Sequence, residues 1–135
     1  MTSEIKSLLN ILAPVSLGEL IDKITILEIK QIHMTGIKLK NIDKELKLLK
    51  NILQDKNLEI DIDLINNLKE VNKNLWEIED KIRIKERNQE FDKEFVELAR
   101  SVYKENDKRA SLKKEINQKY NSELIEEKSY NNYLI

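Results

Sequence analysis

The chain has 135 residues, of which 40% are hydrophobic and 36% are charged, with one proline, two glycines and no cysteine. This length suits one domain with a real core, and the lack of cysteine excludes disulfides, thiolate metal sites and cysteine nucleophiles. The 24 basic and 25 acidic residues are spread along the chain, so no net field attracts nucleic acid or an anionic membrane. No apolar run reaches the ~20 residues of a membrane span, and the N-terminus does not resemble a signal peptide. We therefore expect a single cytoplasmic helical domain, residues 1–135.

The first predicted helix begins at a capping box, because Ser16 and Glu19 have the required spacing. Apolar residues then recur every three or four positions, with a shift of phase near Gly36. This pattern predicts one long helix over residues 17–54 that bends at Gly36.

Two further long helices are predicted after it. Asp61 is a good N-cap for a helix over residues 62–88, whose apolar positions alternate in steps of four and three, as a packing seam requires. The seam residues are Leu64, Leu68, Val71, Leu75, Ile78 and Ile82. Asp92 can cap a third helix over residues 92–120, and Asn121 can end it in the left-handed conformation.

The fold class is therefore all-α: an antiparallel bundle of three long helices with coiled-coil-like packing, a short N-terminal segment and a C-terminal tail. The tail after residue 121 is expected to form a short helical turn and then pack back through its tyrosine-bearing end. Two alternatives stay open. Residues 58–64 alternate as a short strand would, and no glycine or proline near residue 89 forbids one continuous helix over 62–120.

A hairpin between the second and third predicted helices places residue i near residue 179 minus i. The pairs brought opposite each other are Trp76 with Tyr103, Asn72 with Asn106 and Asp107, Glu79 and Asp80 with Arg100, and Glu70 with Arg109. All four arginines of the chain lie in this hairpin. In a lysine-rich sequence, arginine favours a planar, bidentate carboxylate partner.

The main interpretation of these arginines is a structural network of salt bridges. The alternative is that the same guanidinium groups hold a carboxylate or phosphate ligand. The candidate binding residues are Glu79, Asp80, Arg83, Arg100, Tyr103, Asn106, Asp107 and Arg109.

The first predicted helix is longer than the others, so its N-terminal part should project past the tip of the hairpin. It is apolar on more than one face, and exposed Ile and Leu side chains forfeit ~25 cal/mol per Å² of apolar area. Residues 5–12 can cover part of it, and a second copy of the chain is the simplest cover for the rest. A fully intramolecular cover is the alternative. The expected homodimer interface consists of Leu17, Leu20, Ile21, Ile24, Ile26, Leu27, Ile29 and Ile37.

No pattern in the sequence predicts catalysis or a cofactor. His33 is the only histidine, so the Glu-x-x-His sites of di-iron bundles are absent. A carboxylate-only metal site at Glu77, Glu79 and Asp80 is a minor alternative. There is no glycine-rich phosphate loop, and acidic residues interrupt the lysine-rich face of the first helix. We expect no catalytic residue, no metal, no cofactor and no binding of nucleic acid.

Four stretches are recognisable together. They are residues 16–30 (SLGELIDKITILEIK), residues 75–80 (LWEIED), residues 98–103 with 106–110 (LARSVY, NDKRA) and residues 126–130 (EEKSY). With these motifs the sequence resembles an uncharacterised bacterial family of short helical proteins, domain of unknown function 6165, associated with glycosyltransferase and surface-polysaccharide gene clusters. The resemblance implies no catalytic residue. It adds weight to Asp22, Lys23, Trp76, Glu79, Asp80, Arg100, Tyr103, Asn106, Asp107, Arg109 and Lys128.

The expected function is a non-enzymatic helical interaction and oligomerisation module. The resemblance implies that it acts as an adaptor, with an unidentified protein partner, in a cytoplasmic assembly linked to surface-polysaccharide synthesis. The alternative is a bundle, or an enzyme, that binds a small carboxylate or phosphate at a polar centre between the second and third helices.

Overall fold

The computed structural model describes residues 7–134, and all of its regular elements are α-helices. In chain order they are α1 Leu17–His33, α2 Gly36–Asp55, α3 Ile62–Arg87 and α4 Lys93–Lys119. The predicted all-α class is confirmed, with four helices in place of three. None of these four helices is long and apolar enough to span a bilayer.

The single long helix predicted over residues 17–54 is wrong, because the chain reverses in its middle. α1 ends at His33, the caps Met34 and Thr35 are extended, and α2 begins at Gly36 with φ +64°. Glycine adopts this conformation at little cost, so the chain makes a tight turn where the sequence predicted only a bend. The facing sides of α1 and α2 then form one core cluster of Leu20, Ile24, Leu27, Ile42 and Leu46.

α3 and α4 form the predicted hairpin. Gln89 has φ +55° and interrupts the helix, so the alternative of one continuous helix over 62–120 is wrong. In the predicted register, the numbers of two facing residues add up to 179. One such pair is seen in a hydrogen bond, in which the Asn74 amide donates to the Glu105 carboxylate over 3.5 Å. The two helices therefore align as the periodicity of the sequence indicates.

The predicted helix boundaries are confirmed at four positions. The side chains of Ser16, Asp61 and Asp92 each accept a hydrogen bond from a backbone N–H two or three residues further on. Asn121 has φ +54° and ends α4 as predicted. The strand alternative for residues 58–64 is wrong, because the second half of that stretch is already helical.

α1 lies in the groove between α3 and α4 and forms the centre of the bundle. Its fully buried Ile21 packs against Leu68 near the start of α3 and Ile116 near the end of α4. α1 therefore runs parallel to α3 and antiparallel to α4. It has 17 residues against 26 in α3, and it ends where the His33 ring stacks on Trp76 with centroids 4.7 Å apart.

α3 and α4 consequently continue beyond the end of α1. We call residues 62–76 and 106–119 the proximal half of the hairpin, which α1 covers, and residues 77–105 the distal half. The prediction that the first helix projects past the hairpin tip is wrong. The turn after His33 shortens that helix, so that the hairpin projects instead.

The residues predicted to form a homodimer interface lie mostly inside the chain. Five of them are buried by α2, α3 and α4, namely Leu20, Ile21, Ile24, Leu27 and Ile29. Two others, Leu17 and Ile26, are half-buried. Only Ile37 among them is largely exposed, at 77%. The apolar faces of α1 are thus covered within the chain, as the alternative predicted. Dimerisation stays a prediction, and it needs a different surface.

The terminal segments behave differently from each other. Residues 7–15 of the N-terminal segment are exposed and do not cover α1 as predicted, while Ile5 lies outside the described residues. The C-terminal tail, residues 122–134, returns along α4 without the expected helical turn. The Tyr133 ring rests 4.9 Å from that of Tyr103 on α4.

Candidate functional site

Seven of the eight predicted binding residues line one or both of two clefts. A cleft of about 500 Å³, the hairpin cleft, lies where α1 ends between α3 and α4 and is lined by Glu79, Asp80, Arg83, Asn106 and Arg109. A larger one of about 990 Å³, the tail cleft, lies between α4 and the C-terminal tail and is lined by Tyr103, Asn106, Asp107 and Arg109. Asn106 and Arg109 therefore line both clefts, and Arg100 lines neither.

Two of the arginines pair within their own helix and not across the hairpin. Arg83 donates to Glu79 over 2.8 Å, and Arg100 donates to Glu97 over 3.0 Å. The predicted pairing of Arg100 with Glu79 and Asp80 is therefore not formed. Partners three or four residues away on one helix are close neighbours, and exposed pairs of this kind contribute little to stability.

Asp22 of α1 is the centre of the buried polar network. Arg109 donates to both of its carboxylate oxygens, with Nε 2.9 Å from Oδ1. The Asn72 amide donates to the same oxygen and to the Thr25 hydroxyl, each over 2.9 Å. One carboxylate thus joins α1, α3 and α4. Arg109 reaches Asp22 in place of the predicted Glu70 because α1 lies in the groove between the two helices of the hairpin.

The pairing of Asp22 with Arg109 explains why a charge is tolerated in this core. Asp22 is 0% exposed, and a buried carboxylate is costly unless it is paired and hydrogen-bonded. The hydrogen bonds from Arg109 to Asp22 also raise the pKa of the guanidinium, although desolvation opposes this. The guanidinium of Arg109 is therefore charged at neutral pH.

Sequence reasoning did not place Asp22 among the binding residues, although the family resemblance gave it weight. A signal was present in the helical period. Gly18, Asp22, Thr25 and Ile29 recur every three or four residues and share one face of α1. A lone carboxylate between small and apolar residues on one face indicates a buried charge that needs a cationic partner.

Lys113 is a second buried charge and ties the tail to the bundle. Its ammonium contacts Glu19 of α1 and lies 2.7 Å from Glu126 of the tail. Glu126 is also 2.8 Å from Lys128. Hydrogen bonds from these two lysines lower the pKa of Glu126 from 4.5 to about 2. The carboxylates in turn raise the pKa of Lys113 against the effect of burial.

The N-terminus of α1 is closed by the far end of the chain. Leu17 N–H donates to the Ser122 hydroxyl over 3.1 Å, and Gly18 N–H donates to the Asn117 side chain over 2.6 Å. A Cβ on Gly18 would lie 2.4 Å from the carbonyl oxygen of Lys113. Glycine is therefore required for α1 to approach α4 this closely.

The tail cleft combines aromatic and polar side chains. Tyr103, Tyr130 and Tyr133 line it together with cations that already have carboxylate partners, such as Arg109. Burial and the nearby Asp107 carboxylate raise the pKa of Tyr133, which keeps this phenol protonated. The cleft therefore offers hydroxyl and aromatic groups, and an anionic ligand would compete with Glu126 for Lys113 and Lys128.

The tip of the distal half is fixed by one lysine. The Lys85 ammonium lies 2.9 Å from Asp92, 3.1 Å from Glu90 and 3.2 Å from Glu94. These carboxylates, Asp92 first, raise the pKa of Lys85. Lys85 also lowers the pKa of Asp92. Ion pairs with Lys85 therefore stabilise the turn between α3 and α4.

No group that could hold a metal ion is formed by His, Asp and Glu side chains of residues 7–134. The minor alternative of a carboxylate site at Glu77, Glu79 and Asp80 is therefore not formed.

One protein family has a model that matches residues 12–135, a range that contains the four helices and the residues of both clefts. The chain belongs to DUF6165, a family of unknown function. Neither curated proteins nor solved structures provide a match to this DUF6165 member.

Proposed function

We propose that this DUF6165 protein is a non-enzymatic helical interaction module that associates with itself. The observation that carries the proposal is the uncovered distal half of the hairpin. Two helices alone leave one side of their seam open to water, and a third element must cover it. α1 does so in the proximal half. In the distal half no helix within residues 7–134 does so, and the C-terminal tail contacts α4 there through Tyr133 and Tyr103.

The burial along the seam supports this reasoning. In the proximal half Leu68 is 0% exposed and Leu75 is also buried. In the distal half Ile78 and Ile82 continue the same spacing but are only half-buried. Phe91 at the hairpin tip is more than half exposed. An apolar surface of this kind on a soluble helix pair is typical of a site for another protein surface.

We extend the proposal to an adaptor role in a cytoplasmic assembly linked to surface-polysaccharide synthesis. This part is supported by the family resemblance alone. An adaptor needs one surface for itself or its partner and no catalytic group. The predicted binding residues form salt bridges or line the two clefts, which is consistent with that requirement.

Native mass spectrometry beside the denatured mass tests the proposal. We expect the intact chain to be a dimer at micromolar concentration. Ile82→Glu should give a folded monomer, because a charge on the open seam opposes association. Ile37→Glu is the matched control, since Ile37 is exposed but lies outside the hairpin. A parent protein that is monomeric at several hundred micromolar would contradict self-association.

A second candidate function is the binding of a small molecule, and the tail cleft favours it. Its volume of about 990 Å³ is at the upper end of the ~300–1,000 Å³ that is usual for such sites. The predicted ligand class is a carboxylate or phosphate. If this is correct, phosphate or citrate should raise the thermal midpoint of the parent and leave that of Lys128→Ala unchanged. The same small rise in both proteins would indicate a general salt effect.

A further inference from the structure

The N-terminal segment, residues 7–15, carries the most exposed apolar side chains of the described chain. Leu8, Leu9, Ile11 and Leu12 are 77–88% exposed. Removing such side chains from water is favourable in proportion to the apolar area that is buried. The segment therefore gains stability wherever a complementary surface receives it.

The spacing of these residues is that of one face of a helix. Leu8, Ile11 and Leu12 follow the steps of three and four that mark an amphipathic segment. Pro14 prevents this segment from continuing into α1 as one helix, because proline disfavours helical geometry in the residue before it. The segment is thus a separate unit, and it has no regular structure in the isolated chain.

The hairpin cleft is the complementary surface on the same molecule. Its floor is apolar and includes Ile26, Ile29, Leu75 and Trp76. Charged side chains, Arg83 among them, line its rim. The cleft lies beside the second half of α1 and between residues of α3 and α4. An apolar floor with a charged rim is the usual arrangement where an amphipathic helix docks.

The segment is too short to fill this cleft in its own chain. It joins the bundle at Ser16, and the cleft begins beside Ile26, roughly 15 Å away at 1.5 Å per residue, and continues to the end of α1 at roughly 25 Å. Leu12 is four residues from Ser16 and can reach at most about 14 Å when fully extended. Leu8 and Leu9 could reach about 25–29 Å only if the whole segment were extended. When residues 8–12 are helical, Leu8 lies at most about 20 Å from Ser16. The apolar face of a helical segment can therefore occupy the part of the cleft at the end of α1 only in another molecule.

We propose that residues 7–12 of each chain dock as a short amphipathic helix into the hairpin cleft of a second copy, in a reciprocal exchange. The inference rests on the proposed self-association and deepens it by naming the two surfaces. A reciprocal exchange forms a closed two-fold dimer in which each contact occurs twice. It covers the exposed segment and the start of the uncovered distal half at once.

The first experiment removes the apolar face of the segment. In Leu8→Glu combined with Leu12→Glu, we expect the dimer dissociation constant measured by sedimentation to rise at least a hundredfold. The denaturant midpoint of the monomer should not change, since both side chains are exposed within the chain. Ile37→Glu, with similar exposure on α2, is the control and should dissociate like the parent.

The outcomes separate the two proposals. If the doubly substituted protein stays dimeric, the exchange is overturned while self-association stands. If the parent is monomeric at several hundred micromolar, both are overturned. If only Ile37→Glu weakens the dimer, the interface lies at the turn between α1 and α2, and the exchange is overturned.

Disulfide trapping locates the contact, because the chain has no cysteine of its own. Leu12→Cys is combined in turn with Glu79→Cys, Asp80→Cys or Arg83→Cys at the rim of the cleft. We expect mild oxidation to give a covalent dimer for at least one pair, since Leu12 does not reach these positions in its own chain. Leu12→Cys with Lys44→Cys on α2 is the control and should stay uncrosslinked. A dimer that crosslinks at none of the three rim positions overturns the proposal.

Discussion

The proximal and distal halves of the α3–α4 hairpin share one seam pattern but differ in what covers it. In the proximal half α1 lies across the seam, and a single carboxylate, Asp22, binds groups from both hairpin helices. In the distal half the same spacing continues through Ile78 and Ile82, but these side chains are only half-buried. Most of the polar contacts there are salt bridges between near neighbours at the surface and at the tip.

The difference shows that helical periodicity reports which face of a helix is apolar but not what lies against it. A complete seam becomes a core only where a third element is present. The same pattern without that element is an exposed surface, and it is available to a second molecule. The predictions below test whether the two halves differ in stability as their structures indicate.

The largest effect is expected at Asp22. Asp22→Ala leaves Arg109 and Asn72 without their shared partner inside the protein, and breaking a buried pair in this way costs ~3–5 kcal/mol. Urea unfolding followed by Trp76 fluorescence measures the loss. Glu97→Ala removes the partner of Arg100 in the distal half and should leave the unfolding midpoint near that of the parent. Equal losses in both variants would contradict the distinction between the halves.

The second prediction compares two residues of the same seam. Leu68→Ala deletes a side chain that is 0% exposed and should cost ~2–5 kcal/mol through lost burial and a cavity. Ile82→Ala should cost only about 1 kcal/mol in the monomer, because Ile82 is half-buried. Measurements at low protein concentration keep association out of the comparison. If the two costs were the same, an unrecognised cover over the distal seam would be indicated.

A smaller effect concerns acid. The folded pKa of Glu126 is lowered to about 2 from 4.5, so its pairing stabilises the fold fully above about pH 4.5. This contribution is lost as the pH falls towards 2. Glu126→Gln should be less stable than the parent at neutral pH, and the difference should shrink to zero between pH 4.5 and 2. A difference that stays constant with pH would show that the stabilisation is not ionic.

The smallest effect is expected at Arg100. The guanidinium is exposed and pairs with Glu97 on its own helix, so Arg100→Ala should unfold at the parent's thermal midpoint within error. A buried arginine that holds a carboxylate across the hairpin would have produced a large loss. A clear drop in the midpoint of Arg100→Ala would therefore contradict the structure.

The hairpin was well predicted from the sequence because the signals that define its helices are local. Asp61 and Asp92 cap their helices, and Asn121 ends the last one, as their chemistry indicates. The turn between α1 and α2 was missed because only Met34 and Thr35 lie between two apolar helical patterns. A single glycine is weak evidence for a reversal, and its positive φ cannot be deduced from its identity.

The buried polar network could be predicted only in part. The arginines were expected to bind carboxylates, and Arg109 does. Its partner Asp22 lies 87 residues away on a helix whose length and position were wrongly predicted. A partner at such a separation depends on the packing of all three helices, which local periodicity does not determine.

The closure of the first helix by the last has a consequence for the order of folding. Leu17 and Gly18 N–H groups are satisfied by Ser122 and Asn117, which are 105 and 99 residues further along the chain. During synthesis at ~5–20 residues per second, α1 and then α3 emerge before α4, so Asp22 can meet Asn72 first and Arg109 later. The first turn of α1 acquires its side-chain partners only after α4 has been synthesised.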